Sequence, residues 1–102
     1  MSDEFWDTVE PLMAEGVLTE GTIMNGPCVR DAGGEFVAMP HHKGAGMVVK
    51  LPRERVHELI DQRVGQPFAP AGKVFKERVL VTDHDDEVWL SLLRESLVFV
   101  GS

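Results

Sequence analysis

The apolar residues of this chain change period twice. Phe5, Val9, Leu12 and Met13 recur at i, i+4, i+7 and i+8, the spacing of one buried helical stripe. Val56, Leu59, Ile60 and Val64 form a second such stripe, and Val88, Trp89, Leu92, Leu93, Leu97 and Val100 a third and wider one. Between the first two, the period shortens to that of strands, in short β-rich runs bounded by Gly and Pro. Three amphipathic helices around such runs require an α+β fold: a two-layer α/β sandwich in which an antiparallel sheet carries the helices on one face, in the order α-β-β-β-α-β(-β)-α. A length of 102 residues supports one core, so positions 1–102 are expected to form a single domain.

The punctuation fixes the elements more closely. Ser2 or Asp3 is placed to cap the first helix and Gly16 to end it. Thr22 to Met24, the break at Gly26-Pro27 and Cys28 to Arg30 suggest one bent strand. The turn Asp31-Ala32-Gly33-Gly34 then makes a hairpin with Glu35 to Met39. In the next strand Met47, Val49 and Leu51 alternate with Val48 and Lys50, which puts Val48 and Lys50 on the outward face. Pro52 suits the first turn of the second helix, and Gly65 stops it. After a loop with Pro67, Pro70 and Gly72, Lys73 to Val81 is expected as a strand with Phe75, Val79 and Val81 on one face and Lys76 and Arg78 on the other. Asp83 or Asp85 caps the last helix.

Net charge is −7, which disfavours nucleic acid and anionic membranes as partners. The charge is unevenly spread. Eight of the ten basic residues lie from Lys43 to Arg78 against four acids, so that stretch is +4, whereas residues 1–42 are −7 and 79–102 are −4. Such asymmetry marks either a functional face or segments that complement each other within a monomer. No apolar run approaches the ~20 residues of a membrane span, and the acidic start Met1-Ser2-Asp3-Glu4 is unlike a signal peptide, so a cytoplasmic location is expected. The lone Cys28 makes no internal disulfide and is expected as a small buried hydrophobe.

Catalytic chemistry finds little footing. His41-His42 is the first place to look for a metal or a general base, but adjacent histidines on an extended chain point apart. A site would need His41 or His42 to meet His84 or His57 in the fold. The run Asp83-His84-Asp85-Asp86-Glu87 lacks the glycine and ligand spacing of a calcium loop and suits the positive end of a helix dipole. No nucleophile elbow, phosphate-binding loop or dinucleotide fingerprint is present. The expectation is a protein that is not an enzyme and carries no cofactor. What remains is a basic row, Lys50, Lys76 and Arg78, with Arg53 and Arg55 at the start of the second helix; Lys50, Arg53, Lys76 and Arg78 are the candidate contacts to a partner or a nucleic-acid backbone. Pairing with acids such as Glu35 and Glu54 is the alternative.

The strand Gly21-Thr22-Ile23-Met24-Asn25-Gly26, the segment Gly34-Glu35-Phe36-Val37-Ala38-Met39, the strand Val48-Val49-Lys50-Leu51, the turn Gln66-Pro67-Phe68 and the helix from Trp89 to Val100 together resemble the N-terminal domain of TfoX/Sxy proteins, with the related YjbR/MmcQ-like proteins sharing the layout. The resemblance spans roughly residues 5–100. It implies an α-β-β-β-α-β-β-α two-layer fold and a regulatory or binding module with no catalytic residues. By that resemblance the partner would be a protein or a second copy, with DNA binding as an alternative.

Overall fold

In the computed structural model, which describes residues 3–23, 26–41, 46–69 and 72–101, three helices pack on a six-stranded antiparallel sheet. The elements are α1 (Asp3–Ala14), β1 (Thr19–Ile23), β2 (Gly26–Arg30), β3 (Phe36–Pro40), β4 (Met47–Lys50), α2 (Arg53–Asp61), β5 (Gln66–Pro67), β6 (Arg78–Val81) and α3 (Asp86–Val100). Sheet order is β1-β2-β3-β4-β6-β5. The expected cap at Ser2, the family-like residues Met24 and Asn25, the loop from His42 to Ala45, and Pro70 lie outside the described residues. No helix among the described residues is long and apolar enough to cross a membrane.

The three apolar stripes close one core against one face of the sheet. Phe5, Val9 and Leu12 of α1 and Trp89, Leu92 and Leu93 of α3 meet Val49, Val79 and Val81 of the sheet, with Val56 and Leu59 of α2 completing the layer. Each such side chain is worth roughly 1.5–3 kcal/mol when withdrawn from water, so these stripes place the helices. Asp85 caps α3 by accepting from the backbone N–H groups of Glu87 and Val88 at 3.0 and 3.2 Å. Trp89, wholly buried, donates its indole N–H to the carbonyl of Asp83. Val88, assigned to the inward stripe by its spacing, is 37% exposed, because the adjacent Trp89, wholly buried, takes the inward position on the first turn of α3.

Three details differ from the sequence reading. The bent strand is a hairpin: β1 and β2 pair antiparallel from Thr19 opposite Arg30 to Ile23 opposite Gly26. The turn expected at Gln66-Pro67 is instead β5, a two-residue edge strand with Pro67 opposite Val79. The strand expected over Lys73 to Val81 begins only at Arg78. Lys76 stands on the turn before it, and the Phe75 N–H donates to the carbonyl of Phe68 at 2.9 Å, not to a neighbouring strand.

A candidate anion-binding face on the sheet

Alternation decides which residues face away from the helices. In β4 and β6, Val49 and Val79 face the core, so Val48, Lys50, Arg78 and Leu80 take the other face, with Val48 opposite Leu80 and Lys50 opposite Arg78. In β3 the alternation is interrupted. Val29 pairs with Ala38 while Arg30 pairs with Phe36, which leaves Val37 as an extra residue, a β-bulge. Val37 and Ala38 therefore both enter the helix-side core, and Phe36 and Met39 both turn to the helix-free face.

That face is only partly open. Phe68 from the segment after β5 lies over Val48 and Leu80, with Met39 at the margin, as a second small apolar cluster. Val48, which the alternation places outward, is thus fully buried, because the chain folds back over it. Phe75 stacks on Phe68 with ring centroids 5.6 Å apart and extends the cover toward the start of β6.

There the cover stops and the charges begin. The Arg78 guanidinium carbon lies 4.4 Å from the centre of the Phe36 ring and 5.0 Å from that of Phe75. Phe75 therefore sits on the Arg78 side, not with Val79 as simple alternation suggests, because residues 75–77 turn before the strand begins. Aromatic residues do accompany the basic row, which the sequence pattern concealed: Phe36 arrives through the bulge and Phe75 through the turn. Burial lowers the pKa of Arg78, and no carboxylate of a described residue offsets that cost. Opposite it stands Lys50, also half-buried. Like charges directly opposite on a sheet destabilise it. Neither residue forms an ion pair with a described residue; Glu35 and Glu54, the acids considered for pairing, do not reach them.

Beneath them, Cys28 is wholly buried on β2. Burial pushes its thiol pKa up, against the pull of Arg30 and Arg78, so the thiol stays protonated and supplies no counter-charge. Arg30, absent from the sequence-derived row, lies across Gly21, where a Cβ would come within 2.8 Å of its Nε. It donates to the carbonyls of Thr22 and Gly34 at 2.8 and 3.0 Å, which ties its guanidinium to the backbone of the β1–β2 hairpin and of the turn after β2.

The remaining candidates are elsewhere. Of the four proposed contacts, Lys50 and Arg78 are paired across neighbouring strands, whereas Arg53 is exposed at the start of α2 and Lys76 is exposed on the turn before β6. Arg55, expected to be unfavourable at a helix start, is compensated by a two-pronged pair with Glu95 of α3. Among the histidines, His42 lies outside the described residues, and His57 is exposed on α2. His84 joins a cluster at the helix N-termini: its Nε2 is 2.9 Å from Asp86 Oδ1 and 3.1 Å from Thr8 Oγ1, and Thr8 donates to the same Asp86 oxygen at 2.8 Å. A hydroxyl relay needs the imidazole between acid and hydroxyl, with one nitrogen for each. Here Nε2 meets both, Nδ1 faces the Glu4 carboxylate only at 3.9 Å, beyond hydrogen-bonding reach, and the threonine proton goes to the Asp86 carboxylate, so the cluster ties α1 to α3. Among the described residues no group of three His, Cys, Asp or Glu side chains is arranged to hold a metal ion.

No family model, curated protein or solved structure matches this chain.

Proposed function

We propose that this protein is a non-catalytic interaction or regulatory module of the TfoX N-terminal/YjbR-like type, which engages a protein partner or a second copy of itself through the helix-free face of its sheet. The reading rests on one observation above the rest: Arg78 is a half-buried cation against two rings, opposite a second cation, with no carboxylate among the charges that act on it. A fold that bears this cost in isolation recovers it when an anionic group arrives. The family assignment is supported by the motifs from Gly21 to Val100, and a cytoplasmic location is proposed with it.

A photoreactive phenylalanine analogue in place of Val74, which is 53% exposed on the segment leading to Arg78, tests the surface in its host cell. A discrete protein adduct, or a cross-linked pair of copies, that disappears on Arg78→Glu is the expected result. No adduct at all, or one indifferent to Arg78, would remove the reading.

Nucleic-acid binding is the second reading, favoured by the adjacency of Lys50 and Arg78, two cations placed for phosphate contacts. It requires association with a random duplex or single strand that falls steeply with salt. Light scattering at low and high salt, with and without the oligonucleotide, separates the two.

A further inference from the structure

Resting on that binding role of the helix-free face, we infer that the group it takes at Arg78 is a carboxylate of a partner protein, an Asp or Glu side chain next to an apolar residue on an exposed segment. Three observations select this chemistry. The rings of Phe36 and Phe75 hold the guanidinium carbon at 4.4 and 5.0 Å, which engages the π-faces and leaves the N–H donors for a ligand; none of them is given to a described acceptor. A planar fork of donors matches a carboxylate two-to-two, and Lys50 on the opposing strand adds a point charge beside it.

The surroundings argue for an apolar neighbour. Phe75, whose ring centre lies 5.0 Å from the guanidinium, keeps 36% of its surface exposed, and Val74 before it in the chain keeps 53%, so the anion arrives beside apolar surface. The rest of the chain argues against an extended polyanion. At a net charge of −7 the molecule as a whole repels a long run of phosphates more strongly than one or two carboxylates.

The test is titration of the 15N-labelled protein with the capped peptide Phe-Glu-Glu-Val and with its Phe-Gln-Gln-Val counterpart, which has the same shape and no charge. The expected result is saturable binding of the Glu peptide with a shift of the Arg78 Nε–H resonance, at least about tenfold weaker binding of the Gln peptide, and loss of saturation in Arg78→Met. Arg78→Lys, which keeps the charge and removes the fork, is expected to lose most of the affinity and serves if Arg78→Met does not fold. Equal affinity for the two peptides, or a Glu-peptide complex that leaves Arg78 unshifted, overturns the inference, as does an oligonucleotide shifting Arg78 where the peptide does not. If the Glu peptide fails while the Arg78-dependent adduct at position 74 persists with another protein, the carboxylate chemistry falls and the module reading stands. If that adduct is a pair of copies, the face belongs to self-association and the inference is overturned. If no adduct forms, both fall.

Discussion

Arg55 of α2 donates from Nε and Nη2 to the two carboxylate oxygens of Glu95 on α3, at 2.8 and 3.2 Å, and so joins two helices that approach the sheet independently. The pair is about one-third exposed on each side, which screens it. Glu95→Gln is therefore expected to cost only about 0.5–1 kcal/mol, with a smaller loss in high salt, measured by urea denaturation. A double-mutant cycle with Arg55→Met should show that the two substitutions share most of their effect. Full additivity would mean that the pair contributes nothing.

Asp85 holds the N-terminus of α3, the helix that carries the wholly buried Trp89. Asp85→Ala should lower stability by about 1 kcal/mol, and Asp85→Ser should restore most of it. Thermal unfolding monitored by tryptophan fluorescence reads both.

Thr8, chiefly, and then His84 hold the Asp86 carboxyl below its ordinary value of 3.8 by hydrogen bonding. A depressed carboxyl contributes stability above its unfolded pKa and loses it as the pH falls through the folded one. The contribution should be full at neutral pH and disappear in acid below about 3.8. In Thr8→Val the Asp86 carboxyl should titrate at a higher pH, followed by carbon NMR of the side chain. An unchanged titration would show that the threonine hydroxyl is not the cause.

Gly46 combines a φ of +127° with a position at which a Cβ would meet the Val81 carbonyl oxygen at 2.9 Å and Thr82 Cα at 3.1 Å, both backbone atoms that cannot swing aside. Gly46→Ala should cost about 2 kcal/mol or more and loosen the junction of β4 with β6. Hydrogen exchange at Met47 and Val81 reads the loosening. Gly16→Ala, positive in φ but with open space around its Cβ, should cost less.

Arg78→Met separates structural from binding roles. It removes a half-buried charge with no carboxylate partner among the described residues and keeps apolar contact with Phe36 and Phe75, so stability should change by less than about 1 kcal/mol or rise. A large loss of stability would show that Arg78 is retained for the fold itself.

The layers of this molecule were legible because each depends on period alone. The stripes Phe5-Val9-Leu12 and Leu92-Leu93 and the alternation of Met47, Val49 and Leu51 need no knowledge of neighbours, and the structure places them in the core. The hairpin between β1 and β2 was less legible, because the Gly26-Pro27 break falls inside β2 itself. The candidate site was half legible. Lys50 and Arg78 share a face because alternation says so, but their direct opposition depends on the register of β4 with β6, which joins residues far apart in sequence. Phe36 was illegible in principle, since a bulge of one residue reverses the face that simple counting assigns. Phe75 was misplaced because a β-rich composition continues through a stretch that turns.

The last strand of the sheet has a consequence for how copies of the molecule can meet. An antiparallel sheet ends in two rows of backbone donors and acceptors, each a template on which another chain can add. At one end the row is β5, two residues long, and one of them is Pro67, which has no N–H to offer. At the other end β1 is longer and made of Thr19-Glu20-Gly21-Thr22-Ile23. Growth by strand addition is therefore open from one side only, and a stack propagating through both edges is blocked after its first step.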